Sequence, residues 1–306
     1  MPVATPAGPD SAPTRQIRIA YIILAHHRPE SLIRLVRRLY APDHGFLIHY
    51  DLRSSETDYQ RIASELGSLP NVTLLKRHAC RWGNLGIVKG AIEGLHALAR
   101  MGFPYDYAIH ISGLDYPIKS DAQIRARLAS AGGGSFMQAT PWPIPNWQKG
   151  RAIKWIENYH LHLPVPPWLR SLGWQPMWQH LALPMKRKIP GGLHPHFGSA
   201  FWYLHRSCQE FIHTYVTRHP EYVRFFEHSL LPDETLFQTL LMNSEWAPSV
   251  IGRTLTDIVW RPPWPGILTL DDLPRLKESD GLFARKFDPD VDSQILDLLD
   301  LHNQAR

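Results

Sequence analysis

Residues 17–24 (IRIAYIIL) form an unbroken apolar run, the pattern of a strand covered on both faces, and it ends at Ala25, His26 and His27, where a ligand-facing loop is expected. Pro29 and Glu30 then open SLIRLVRRLY, whose apolar residues recur at helical spacing with cations opposite them. The unit repeats. Phe46–Tyr50 reads as a strand ending at Asp51, Thr57–Leu66 as a helix, Asn71–Leu75 as a strand, Leu85–Met101 as a long helix, and Tyr107–Ser112 as a strand closed by Gly113, Leu114 and Asp115. Further along, Phe197–His205 predicts one strand, Arg206–Arg218 a helix, Pro232, Asp233 and Glu234 the start of another helix, and Thr254–Trp260 a late strand. Strands alternating with helices predict an α/β fold with a mostly parallel central sheet flanked by helices. His26, Asp51 and Asp115 each fall just after a strand, and in open α/β sheets that carboxyl edge is where ligands bind. No Gly-x-Gly-x-x-Gly follows the first strand and no Walker-type Gly-Lys-Ser/Thr occurs, so dinucleotide and P-loop readings lose their signature.

Composition narrows the class. With 306 residues, 44% hydrophobic and 20% charged, the chain can bury a sizeable core, and disordered or fibrous classes are excluded. No apolar run approaches the roughly 18 to 20 residues of a membrane span, and the first 15 residues lack a signal peptide's apolar centre. A frayed tail is expected over 1–15 and one two-part domain over 16–303, with a nucleotide-binding half (16–140) and an acceptor-binding, catalytic half (141–303). Cys80 and Cys208 stand far apart without metal-ligand spacing, which fits a reducing cytoplasm. The net charge of +5 suits phosphate-bearing ligands but is too diffuse to argue nucleic acid. The chain is rich in Trp (11) and Pro (27), and both are concentrated in 141–183, which suggests a loop-built binding surface with short helices; with the basic MKRK run that follows, it also allows peripheral contact with a membrane carrying a lipid-linked acceptor.

Several residues have both a bland and a chemical reading. Glu234 at a helix start would cap exposed amides, or serve as a general base at the mouth of a cleft with Asp233 doing the capping. Arg285 and Lys286, flanked by aromatics, form a solvated cation pair or a clamp for the diphosphate of a leaving group; Arg81, Lys186, Arg187 and Lys188 are further cations of that kind. A metal-binding Asp-x-Asp would stand at a strand end, but Asp51 and Asp115 each stand alone there, and the run Asp288, Asp290, Asp292 precedes an apolar helix and reads as capping. The histidines near strand ends (His26, His27, His49, His110, His194, His196) admit a metal-dependent hydrolase, although no ligand spacing supports it. Trp82, Trp142, Trp147, Trp202 and Tyr203 either pack in the core or stack on sugar faces, with Trp82 the most cleft-facing by its position before a helix.

Taken together, LAHHRPESLIRLVRRLYAPDHGFLIHYD, RWGNLGIVKGAIEGL, ISGLDYPIKS, FGSAFWYLHRSC, LPDETLFQTLLMNS and LFARKFDPDVDSQILDLLD resemble the core-2/I-branching glycosyltransferases, family 14, which also contains the peptide O-xylosyltransferases. The similarity runs in order over most of 17–300 and weakens between about 140 and 195. The resemblance implies a GT-A-like nucleotide-sugar fold and an inverting, metal-independent transfer from a UDP-sugar, with no further cofactor. It implies Glu234 as the base that deprotonates the acceptor hydroxyl, Arg285 and Lys286 at the UDP diphosphate, and Ala25, His26 and Asp51 at uridine. Trp82 and Asp115 fall on motifs lining the cleft, and Ser199, Trp202 and Asp233 are expected on its acceptor side. The donor expected is UDP-GlcNAc, with UDP-xylose as the alternative, and the acceptor a hydroxyl of a glycan, polysaccharide or glycoconjugate. A non-catalytic nucleotide- or glycan-binding relative is the rival, because Gly266 stands where the family often carries a basic residue; Arg261 is the candidate replacement.

Overall fold

The computed structural model describes residues 16–144, 153–162, 180–261 and 264–304. The 1–15 tail and Trp147 lie outside the described residues. A strand apolar at every position needs cover on both faces, and β1 (Ile19–Ala25) lies inside a seven-stranded sheet. The other strands are β2 (Gly45–Tyr50), β3 (Val72–Leu74), β4 (Tyr107–Ser112), β5 (Ser135–Met137), β6 (Trp202–His205) and β7 (Val250–Ile251), in the spatial order β7-β5-β6-β4-β1-β2-β3. All neighbours are parallel except β6, which runs antiparallel to both β4 and β5. Helices α1 (Pro29–Leu39), α2 (Glu56–Leu66), α3 (Gly86–Met101), α4 (Asp121–Ala129), α5 (Arg206–Arg218), α6 (Leu236–Met242) and α7 (Gln294–Gln304) complete the framework used below.

The alternation of β1 divides the core in two. Ile19, Tyr21 and Ile23 pack with Leu32, Leu35 and Val36 of α1, whereas Ala20 and Ile22 pack with Val88, Ala91 and Leu95 of α3. The chain leaves β1 for β2 on one side and later returns to β4 on the other, so the crossovers diverge at the β1/β4 boundary. A crevice opens at such a switch point beyond the carboxyl ends of the strands.

Three expectations are corrected. The single strand over Phe197–His205 is broken: His196–Phe197 pairs with Thr140–Pro141, residues 198–201 form a loop, and pairing resumes at Trp202. A close approach requires glycine at the break, since a Cβ on Gly198 would stand 1.7 Å from the Gln138 carbonyl oxygen. Gly198→Ala should therefore lower stability by about 1–3 kcal/mol, the usual range for overpacking, measured as a fall in the denaturant midpoint with an unchanged slope. The late strand also splits: Thr256–Ile258 lies parallel to Phe283–Arg285, which pairs antiparallel with Tyr116–Pro117, and Trp260–Arg261 turns back against Trp264–Pro265. In the Trp/Pro-rich segment, a short helix (Lys154–Glu157) leads into an antiparallel hairpin of Asn158–His162 and His180–Lys186. Arg187 staples that hairpin, donating to the carbonyls of Ile156, Asn158, Phe225 and His228 between the rings of Tyr159 and Phe225. Its donors are taken up by these internal contacts. Among the described residues no helix is long and apolar enough to cross a membrane.

Candidate active site

At the switch point, Leu24, Ala25, His26 and His27 after β1, Ser112, Gly113 and Leu114 after β4, and Arg285 and Lys286 line a notch of about 50 Å³. That is room for one phosphate-sized part of a nucleotide, whose whole site would need roughly 300 Å³ or more. The cations arrive by the small second sheet: Phe283 and Ala284 pair with Pro117 and Tyr116, one residue past Asp115, so the segment ends at the mouth of the crevice.

Asp115 is a buried anchor. Its carboxylate accepts from Ser112 N–H at 2.8 Å and Ser112 Oγ at 2.7 Å, and it lies 3.1 Å from Arg285 Nε. Burial raises its pKa, and the Arg285 charge opposes that rise. The contact of Asp115 seen here is with Arg285, the cation on the wall of the notch. From the other side, Phe201 lies under the guanidinium, 4.1 Å from ring centre to Cζ. Among the described residues Lys286 forms no ion pair with a carboxylate; burial first, then the Arg285 charge, lowers its pKa against the opposing charge of Asp115. An ammonium kept partly dry beside a second cation gains much from an arriving anion.

Glu234 sits in a short 3-10 turn (Pro232–Glu234), separated from α6 by Thr235 at φ −139°. The N-cap positions of the turn and of α6 are Leu231 and Thr235, neither with a side-chain cap bond, so both acids lie inside the turn, and the Asp233 carboxyl meets the backbone of its own residue. Asp233 Oδ1 is buried with no hydrogen-bond partner. Burial pushes Asp233 up to about 6, and burial with the Asp233 charge pushes Glu234 up to about 8. This turn is tied to the rest of the crevice by its backbone: Gly198 N–H donates to Glu234 O at 2.9 Å, and Leu231 N–H to Gly83 O at 3.0 Å, beside the exposed Trp82. The 198–201 loop therefore touches Glu234 at one end and, through Phe201, Arg285 at the other. Two buried side chains grip it in the middle, His110 Nδ1 on Ala200 O at 2.8 Å and Gln238 Nε2 on Ser199 O at 2.8 Å.

The other expected residues divide. Ala25 and His26 line the notch, and Asp51 N–H donates to Ala25 O at 2.8 Å. His26 is stacked on His27, and desolvation, followed by the His27 charge, takes its pKa down to about 4. Asp51 Oδ1 already accepts from the amides of Arg53 at 2.9 Å and Cys80 at 3.1 Å, so this oxygen shapes the loops around it. Ser199 lies in the loop with its Oγ accepting from Phe201 N–H. Trp202 is a correction: it is 0% exposed, packed on His110 and Phe237, and presents no face to an acceptor. Tyr203 is likewise buried and bonded to Thr256, and Trp142 packs edge-on against Phe197. Arg261 donates to Ile267 O and pairs with Asp272, and its side chain fills the space a Cβ on Gly266 would need. Asp292 caps α7 as expected, while Asp288 and Asp290 pair with Arg28.

Four of the six candidate histidines are hydrogen-bonded within the fold. His49 accepts from His78 N–H, and His110, His194 and His196 bond the carbonyls of Ala200, Trp142 and His194. Among the described residues no three His, Cys, Asp or Glu side chains are grouped to hold a metal ion. Phe201, Gln238 and Gly198 were not singled out by sequence; the only signal was the Gly-Ser-Ala interruption of an otherwise apolar run.

Comparison with known proteins gives a consistent family. The core-2/I-branching enzyme family model matches residues 19–276. Xylosyltransferase oxt of Drosophila melanogaster is 26% identical over 312 residues, covering 94% of this chain and 33% of its own. Xylosyltransferase 2 of Rattus norvegicus is 26% identical over 310 residues, covering 94% of this chain and 34% of its own. This chain thus spans about a third of the length of the curated relatives it matches. Among solved structures, core-mannan synthase A of Aspergillus fumigatus in its Mn/GDP form overlays with a TM-score of 0.34 at 12% identity, over 81% of this chain and 79% of that one.

Proposed function

The chain belongs to the core-2/I-branching enzyme family, and from that premise we propose that it is an inverting, metal-independent glycosyltransferase using a UDP-sugar, with its sheet as a GT-A-like scaffold. The observation that carries this reading is the pair Arg285 and Lys286 on the wall of the switch-point notch. Glu234 takes the proton from an acceptor hydroxyl as that oxygen forms a bond to the anomeric carbon. The bond from that carbon to the β-phosphate oxygen breaks on the opposite face, and the electron pair leaves with UDP. An α-linked donor gives a β-linked product. Arg285, oriented by Asp115 and Phe201, and Lys286 neutralise the departing diphosphate, the task a divalent ion performs where acidic ligands hold one.

The donor reading is GlcNAc, with xylose as a second reading that the two xylosyltransferases named above favour. The acceptor is a hydroxyl of a glycan or glycoconjugate. The test is a panel of UDP-GlcNAc, UDP-xylose, UDP-glucose and UDP-galactose, scored for binding and slow hydrolysis with EDTA present. One preferred donor under those conditions is expected. Binding that appears only when manganese is added would overturn the metal-independent mechanism, and a donor that binds without ever turning over would make the protein a non-catalytic relative.

A further inference from the structure

We propose that Arg28 is a positioning residue that sets the width of the notch, clamping the His26–His27 wall to the Arg285–Lys286 wall; the proposal rests on the nucleotide-sugar reading above. Arg28 follows the two histidines directly and begins α1, with φ 57° and ψ 63°. That left-handed conformation is costly for a residue with a Cβ, and the residue before a proline is further biased toward extended backbone. Glycine would fit this position without strain. The chain nevertheless places an arginine there, and its side chain accounts for the choice.

Arg28 is next to the lining residue His27, and its guanidinium reaches the segment just past the lining residue Lys286. Its Nη2 lies 2.8 Å from Asp288 Oδ1 and 2.9 Å from Asp288 Oδ2, and its Nη1 bonds Asp290. Asp288 is preset to receive it, because Asp288 Oδ1 also accepts from Asp290 N–H at 3.1 Å. On the far side the same segment is pinned by Phe287 N–H to Leu114 O at 3.1 Å. Arg285 and Lys286 face His26, whose imidazole their charge helps to hold neutral, so the positive charge of the notch is carried by one wall. Asp288 and Asp290 supply the opposite charge one turn away and give Arg28 something to hold. A half-exposed ion pair adds little to global stability, so its use here is local: it keeps Lys286 at the distance at which a phosphate can touch both walls. Strained backbone of this kind collects at ligand clamps.

The experiment compares the wild type with Arg28→Gly, which removes the side chain while relaxing the backbone, and Arg28→Lys, which keeps a cation. Three readouts are taken: thermal midpoint, amide hydrogen exchange over 26–32 and 286–291 without ligand, and dissociation constants for UDP and uridine. In Arg28→Gly the midpoint is expected to hold, exchange to quicken in both segments, and UDP to weaken by on the order of tenfold with uridine little changed; Arg28→Lys should recover most of the UDP affinity. Unchanged exchange in Arg28→Gly, or equal weakening of UDP and uridine, overturns the clamp. Quickened exchange in a protein whose wild type binds no UDP supports the clamp and removes the donor reading, so the two failures are separate.

Discussion

Glu234→Gln should hold UDP within a few fold of the wild type and transfer sugar about 10² to 10⁴ times more slowly, the usual contribution of a positioned general base. The affinity stays because the cations proposed to meet the diphosphate, Arg285 and Lys286, lie on a different segment, where Asp115 and Phe201 still support Arg285. The rate falls because an amide keeps the shape of the carboxyl and cannot take a proton. The pH profile makes the assignment sharper. Burial and the Asp233 charge hold Glu234 near 8, with Asp233 near 6, so the reactive carboxylate forms only as pH rises through the range of this pair. Transfer by the wild type should climb across that range and flatten above it. Stability should run the opposite way. A carboxyl whose folded pKa is raised binds more protons folded than unfolded, so its stabilising effect is complete below its ordinary value and fades as pH rises through about 8. Glu234→Gln removes that ionisation and should melt higher than the wild type at pH 8 and above. A variant that turns over at the wild-type rate, or a wild-type profile flat from pH 5 to 9, removes Glu234 from the role.

The framework of this site was readable in the chain because burial on two faces leaves a plain pattern. The strands at Ile19–Ala25, Gly45–Tyr50 and Tyr107–Ser112 and the helices at Gly86–Met101 and Arg206–Arg218 lie where the apolar periodicity puts them, within a residue or two. The strand ends then place His26, Asp51 and Asp115 at one edge. What the pattern does not carry is anything decided by contact across the chain. The need for glycine at the 198 break comes from the Gln138 carbonyl some 60 residues earlier. Trp202 looks like a sugar platform in sequence and is a core residue because β6 inserts between β4 and β5. Arg187 looks like a loose cation and is consumed by five oxygen atoms of three separate segments. Asp115 reads as a lone strand-end acid, and only the pairing of Phe283–Arg285 with Tyr116–Pro117 shows that its partner is Arg285. Glu234 was ambiguous for a related reason. A capping acid and a catalytic acid occupy the same place in sequence, and only the fold shows that the turn holding Glu234 is separated from α6 by Thr235.

Lys286→Ala should weaken UDP by about 10- to 100-fold while leaving uridine nearly as before, since a hydrogen bond to a charged group is worth roughly 1.5–3 kcal/mol and uridine has no phosphate to lose it. Arg285 would remain, held by Asp115 at 3.1 Å and by the Phe201 ring, so binding survives in weakened form. The same substitution should also slow transfer, because the charge on the leaving diphosphate grows as the anomeric bond breaks and a cation that meets it there stabilises the transition state more than the bound donor. Burial and the Arg285 charge lower the Lys286 pKa, so the free enzyme loses this cation at a pH below the ordinary lysine range. UDP affinity in the wild type should accordingly fall at alkaline pH before that range is reached, and the fall should be absent from Lys286→Ala. With Glu234 requiring a pH high enough to ionise and Lys286 a pH low enough to stay charged, kcat/KM for the donor should be bell-shaped, and the alanine variant should keep only its acid limb. Isothermal titration with UDP and uridine at pH 7 and 9.5 decides the point: equal losses for both ligands would mean that Lys286 shapes the loop and does not meet the diphosphate.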